Sequence, residues 1–372
     1  MRVLVANSTQ QRHPTGGDPW VRSTLRAVET LAGEGCSFVA SCGTTPWELA
    51  LWRAASCGAP VHVIAPAPRG EPEGSTLVRL TNEFGLCPAR TTWQLLPSAR
   101  ATGRGKDTWS ARDRAAFDAA DVVCPISIRP GGRLEALLGA HPGRVDDRFR
   151  VPFVRRQGES KGWSLPRDGF EDLEWPGPSL LHLTRASEGP WPGEAAHEFL
   201  RDLTRSSDRY PRSGFETLCR ILLERRIRAS GFRIRKGAAT VSFTALAPSQ
   251  AVTLLRWRSR YARYSFEPYG VWISLEAARR IGAQPVRYDE GAAPDRQDCL
   301  RQGRGARGHW EAEQEWRVEG DVALSGLGAG EVGAIVASDE EAEELRERIA
   351  GLTVASFGGG GGKGLSRRES RR

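Results

Sequence analysis

The chain contains no run of eighteen apolar residues, so no membrane-spanning helix is expected from it. Its opening, MRVLVANSTQQ, turns polar too soon for a secretory signal, and a cytoplasmic location is the expectation. Seven cysteines are scattered at positions 36, 42, 57, 87, 124, 219 and 299, without one CxxC pair. That excludes the common zinc-ligand spacing, and no metal site is expected. Several of the cysteines lie in apolar runs and read as reduced core thiols, which suits a reducing compartment. A Walker sequence and a GxGxxG fingerprint are both missing, so no cofactor is named by motif.

What is present supports a folded protein. There are 372 residues, 39% apolar and 26% charged, a length that favours two domains. The net charge of +8 is uneven: the tail GGGGGKGLSRRESRR sets five cations against one acid, a net +4. Such a segment cannot build a core and reads as a disordered basic end from 357 to 372, able to attract nucleic acid without sequence preference.

The first half alternates strand and helix. VLVA (3–6), SFVAS (37–41), VHVIAP (61–66), TTWQLLP (91–97) and DVVCP (121–125) read as strands, and FRVPFV (149–154) as a closing one. PWVRSTLRAVETLAG, TPWELALWRAASCG and SARDRAAFDAA read as helices between them. This spacing predicts an α/β fold: a Rossmann-like parallel sheet over 1–154 with helices on both faces. Two loops would lie at the carboxyl edge, SCGTTPWE and IRPGGRLE, the second flanked by Arg129 and Arg133. Glycines before a helix start permit close approach of the backbone to a phosphate.

VASCGTTPWELALWRAASCGAPVHVIAP, followed by ARDRAAFDAADVVCPISIRPGG, resembles the Rossmann-like (SLOG) group that includes the DNA-processing protein DprA and the LOG phosphoribohydrolases. The resemblance implies binding of a nucleotide or single-stranded nucleic acid near Gly43, Thr44, Thr45, Arg112, Gly131 and Gly132. LOG enzymes carry a PGGxGTxxE signature. Here the loop reads RPGGRLEALL, with Glu135 present but no second glycine–threonine step, so binding rather than hydrolysis is expected.

Residues 155–178 are rich in glycine, proline and charge, and read as a linker. From 179 to 356 the pattern becomes a separate α+β domain, with short strands at SLLHLT, IRAS, TVSFTAL, YGVWIS, QPVRY and EQEWRVEGD. A helix is expected in GEAAHEFLRDLTR. SGFETLCRILLERR is the strongest helix, with Ser213 and Glu216 as a capping box. In WEAEQEWRVEGD, Glu311, Glu313 and Glu315 are spaced two apart. On a strand they would share one face, either as a solvated edge or as the acidic wall of a site.

The order HLT, VSFT, YGVWIS, QPVRY, EWR resembles the AbiGi-type abortive-infection proteins and, more distantly, the DarT-like ADP-ribosyltransferases. That resemblance implies NAD+ as a substrate. His182 would hold the ribose, Tyr269 would stack on the nicotinamide, and Glu315, with Glu313 completing a Glu-x-Glu pair, would face the developing ribosyl cation. A buried structural histidine and a Glu315–Arg317 ion pair are the plainer readings of the same residues. In LLRWRSRYARYSFEPYG, Arg256, Trp257, Arg258 and Tyr261 interleave charge and rings. The pattern fits a single-strand platform or an amphipathic helix. Three functions follow: a defence-type protein coupling a nucleotide sensor to ADP-ribosyl transfer, a non-enzymatic nucleotide- or nucleic-acid-binding protein, and a LOG-like hydrolase.

Overall fold

The computed structural model describes residues 1–67, 70–96, 106–154, 177–230, 239–258, 263–289, 299–303 and 310–357. Most of the linker expected at 155–178, Tyr261 and the basic tail from 358 lie outside the described residues. The chain divides into two compact units, Met1–Arg156 with Glu188–Pro211, and Gln157–Ser187 with Arg212–Arg372.

The first unit runs β1 (Arg2–Ala6), α1 (Pro19–Gly33), β2 (Ser37–Ala40), α2 (Thr45–Ser56), β3 (Val61–Pro66), α3 (Glu73–Phe84), β4 (Thr91–Leu96), α4 (Lys106–Ala119), β5 (Val122–Pro125) and α5 (Arg133–Ala140). Every strand pairing is parallel, in the order β4-β3-β2-β1-β5. Because side chains alternate along a strand, Val3 and Val5 face the core shared with α1, α2 and α3, while Leu4 and Ala6 face the one shared with α4 and α5. The fold is the α/β arrangement expected.

Three details differ from the sequence reading. The segment 149–154 adds no strand. Val151 donates its N–H to the Ile126 carbonyl at 2.8 Å, but Pro152 has no N–H with which to continue a ladder. Helix α3 was hidden by glycines and prolines on either side of a short apolar stripe, Thr76, Leu80 and Phe84. Helix α6 (Ala196–Arg205), expected in the second domain, belongs to the first unit. Its buried Phe199, Leu200 and Leu203 join the core of α1 and α2. Glu83 at the end of α3 accepts the Ala196 N–H at 3.0 Å.

The second unit contains β6 (Ser179–Leu183), α7 (Gly214–Leu223), β7 (Arg226–Ile227), β8 (Thr240–Thr244), α8 (Pro248–Ala251), β9 (Trp257–Arg258), β10 (Arg263–Tyr264), β11 (Gly270–Ser274), α9 (Leu275–Arg280), β12 (Gln284–Pro285), β13 (Arg287–Asp289), β14 (Arg301–Gly303), β15 (Glu315–Glu319), β16 (Val322–Ala323), β17 (Val332–Val336), α10 (Asp339–Arg348) and β18 (Thr353–Ser356). Its main sheet has seven strands in the order β12-β15-β8-β6-β11-β17-β18. All pairings are antiparallel except β17–β18. Ser213 caps α7 and Ser338 caps α10 by accepting the N–H three residues on, from Glu216 and Glu341. Among the described residues no helix is long and apolar enough to cross a membrane.

Candidate functional site

In the first unit the strand order reverses beside β1, since β2 lies on one side of it and β5 on the other. The carboxyl ends of β1 and β5 are where open α/β sheets form a ligand crevice. Asn7, directly after β1, is buried there. Its amide donates to the Thr24 hydroxyl at 3.0 Å, and its side-chain oxygen accepts the Ser127 N–H at 3.2 Å. Ser8 accepts the Arg129 N–H at 2.9 Å. These contacts fix the loop that leads into Gly131 and Gly132. The sequence signal for Asn7 is a polar residue closing an apolar strand.

All six expected nucleotide-site residues reach this edge. Gly43, Thr44 and Thr45 join β2 to α2, and Gly131 and Gly132 precede α5. Gly43 has φ +99° and Gly131 φ +68°, left-handed conformations that favour glycine. Arg112 on α4 is 4% exposed and lies over the Trp47 ring, 4.4 Å from its centroid. It donates to the Cys42 carbonyl at 3.1 Å and to Asp113 at 2.7 Å. Asp113 in turn approaches Arg133 at 3.8 Å, so a chain of charge links the two glycine loops. Arg112 is thereby engaged with the protein itself.

The two loops share a further feature. The Gly43 N–H donates to Glu48 Oε1 at 2.8 Å, and the Gly131 N–H to Glu135 Oε2 at 2.6 Å. Each carboxylate occupies a backbone donor that a phosphate would use. Burial raises the Glu48 pKa, with the Gly43 N–H acting against it. Burial also pushes the Cys42 thiol up to about 11, which keeps it protonated and poorly nucleophilic. Two groups remain uncommitted: the buried Thr44 hydroxyl has no partner, and the exposed Arg129 guanidinium makes no ion pair among the described residues.

In the second unit the expected catalytic residues separate. Leu181 pairs with Thr244, and Thr244 with Glu315, so these three share a face of the sheet. His182 follows Leu181 and projects from the opposite face, against Phe243. Its Nδ1 lies 2.8 Å from the Ser242 carbonyl. A carbonyl only accepts, so Nδ1 carries the proton, and burial lowers the ring's pKa. Tyr269 is buried; its hydroxyl donates to Glu341 at 2.9 Å and its ring meets Phe215 edge-on at 6.0 Å. Neither residue faces Glu315.

The three glutamates do not share a strand. Glu311 and Glu313 lie in a 3₁₀ turn, Trp310–Glu313. Gln314 then takes φ +45° and breaks the extended path, and only Glu315 enters β15. Glu315 makes a two-point pair with buried Arg317, at 2.8 and 2.9 Å. Arg317 also donates to the Cys299 carbonyl at 2.7 Å and to Gln302. The expected Glu313–Glu315 pair does converge: both line a half-open cavity of about 50 Å³ with Leu181, Leu183, Thr244, Leu254 and Phe266. Glu313 makes no side-chain hydrogen bond or ion pair among the described residues. Burial raises its pKa, Glu315 adds to the rise, and Arg258 and Arg256 oppose it.

In the arginine-rich stretch the described residues of β9 and β10 pair as antiparallel strands and not as part of an amphipathic helix. Arg258 stands opposite Arg263 and Trp257 opposite Tyr264. Arg256 and Arg258 are exposed. The Trp257 side chain lies outside the described residues, as Tyr261 does. Among the described residues no group of three His, Cys, Asp or Glu side chains could hold a metal ion.

No protein-family model matches the chain. No curated protein matches it. A solved structure of DNA processing protein A from Helicobacter pylori, described for its single-stranded DNA binding mode, is similar at 15% identity over 39% of this chain, with a TM-score of 0.29. The chain spans 63% of that protein's length. A likeness at this level fixes neither fold nor ligand.

Proposed function

We propose that the chain is a non-enzymatic binding protein whose first unit takes the phosphate of a nucleotide, free or at the end of a single strand. The observation that carries this is the reversal of strand order at β1 and β5, with Arg129, which makes no ion pair among the described residues, on the loop that follows β5. A phosphate entering there would displace the exposed Glu135 carboxylate from the Gly131 N–H and pair with Arg129. The Thr44 hydroxyl supplies a further donor at the neighbouring loop. Glu135 is held by its own loop, which supports binding over LOG-type hydrolysis. ADP-ribosyl transfer draws no comparable support, because His182 and Glu315 stand on opposite faces of their sheet.

Calorimetry with nucleoside monophosphates and anisotropy of a labelled single strand test the reading. Arg129→Ala should weaken binding about tenfold or more, as loss of a charged hydrogen bond of ~1.5–3 kcal/mol implies. Glu135→Ala should tighten it by removing a competing anion. Unchanged affinity in Arg129→Ala would remove the site from this edge. Release of free base that stops in Glu135→Gln would replace the binding reading with the hydrolase one.

A further inference from the structure

The five-stranded sheet of the first unit has two edges, and they are finished differently. At the β5 edge the chain covers itself. Val145 bridges to Val123, Asp146 donates its N–H to the Val123 carbonyl at 2.9 Å, and Val151 donates to the Ile126 carbonyl at 2.8 Å. Strand β5 is also only four residues long and ends in Pro125. A short strand, a proline and a covering segment are common ways of closing an edge against other chains.

The β4 edge has none of these among the described residues. Its sequence, TTWQLL, is six residues long, without a charge or a proline. It pairs with β3 residue for residue from Thr91 to Leu96, without a bulge, and no other described strand lies beside it. Leu96 turns its carbonyl toward the β3 side, where it accepts the Ala67 N–H at 2.8 Å. Backbone N–H and C=O groups alternate in direction along a strand. Thr92, Gln94 and Leu96 therefore face β3, and Thr91, Trp93 and Leu95 present theirs outward. Trp93 and Leu95 are only partly buried on one face of the sheet, and Leu96 on the other. An open row of donors and acceptors between partly exposed apolar side chains is a template for another strand.

We propose that this edge docks the same strand of a second copy of the chain, antiparallel, about a twofold axis through Trp93. Setting outward residues against outward residues gives that register. Trp93 meets its counterpart, and Thr91 meets Leu95 on either side. Each opposed pair exchanges two N–H···O bonds, and the two indole rings share one face. No charge in TTWQLL opposes its own copy across the axis. The register reads the same from both chains, as a twofold interface requires, which favours a second copy over an unrelated peptide. The assembly is closed, because the two five-stranded sheets become one and neither keeps an open β4 edge. The carboxyl-edge crevice at β1 and β5 takes no part in it.

The test is sedimentation velocity and light scattering of the full chain over a wide concentration range. Wild type should reach twice the chain mass, and hydrogen exchange over residues 91–96 should slow as the dimer forms. Trp93→Lys and Trp93→Glu should each weaken self-association at least tenfold, because like charges then meet at the axis. Mixing the two variants should restore the dimer, because residue 93 opposes itself. Circular dichroism shows whether each variant is folded. A wild-type chain that stays monomeric would overturn the proposal, and capture of a synthetic TTWQLL peptide by that monomer would assign the edge to a different partner. A dimer that survives in both folded variants, no dimer on mixing them, or growth beyond the dimer would overturn it too. Should the variants fail to fold, wild type alone decides: exchange over 91–96 that is the same in monomer and dimer rules this edge out.

Discussion

The carboxyl edge of the first unit and the cavity of the second both bring carboxylates to a place where a ligand could sit, and they use them in opposite ways. In the first, Glu48 and Glu135 cap the N–H groups of their own glycine loops, and Arg112 is bound to Asp113 and the Cys42 carbonyl. In the second, Glu315 is fully paired while Glu313, beside it, has no side-chain partner among the described residues. The difference teaches that a motif's residue types do not reveal its vacancy. Glycine loops that read as empty phosphate cradles are occupied by the protein's own acids. The glutamate that looks redundant in sequence is the one left available.

The comparison breaks most readily at its buried charges. Arg317→Met leaves Glu315 half-buried without its cation, and urea denaturation should show a loss of about 3–5 kcal/mol. The matching change in the first unit, Arg112→Met, should cost less, about 1.5–3 kcal/mol, because Asp113 keeps Arg133 nearby. If the order of those losses were inverted, the second unit's pair would not be the more isolated one.

A pH series sharpens the same contrast. Glu48 and Glu313 both have folded pKa values raised above the unfolded value of about 4.3. Each therefore binds its proton more tightly when folded, and its stabilising contribution is full below that unfolded value and lost as pH rises through the folded one. Glu313→Gln and Glu48→Gln should both flatten the fall in stability above pH 4.3. Glu313→Gln should do so without loss of a hydrogen bond, whereas Glu48→Gln weakens the cap on Gly43. Equal slopes in wild type and Glu313→Gln, measured by urea denaturation at several pH values, would deny Glu313 its raised pKa.

Smaller effects test the caps and contacts. Tyr269→Phe removes one hydrogen bond to Glu341 and should lower stability by about 1 kcal/mol. Glu135→Ala, at an exposed position, should stay within about 0.5 kcal/mol of wild type. A larger loss there would mean that the carboxylate is a structural cap and not a displaceable one.

Much of the first unit was legible because its strands are continuous apolar runs with helices between them, the signature of a parallel sheet buried on both faces. Helix α3 was less so, since its apolar stripe is only three residues and glycine and proline surround it. In the second unit β17, VGAIV, is a short apolar run interrupted by Gly333, too brief to show a period, although it pairs with β11 in the sheet. Short two-residue strands such as β9 and β16 carry no readable period at all.

By itself the sequence determined the alternation of strand and helix, the glycines at the two loops and the adjacency of Glu315 and Arg317, because each rests on local periodicity or spacing. Tertiary structure alone decided that α6 joins the first unit, since an amphipathic helix carries no record of which core it will cover. It also decided that His182 and Glu315 project from opposite faces. Strand register fixes that, and register depends on the pairing of Leu181, Thr244 and Glu315 across three strands distant in sequence.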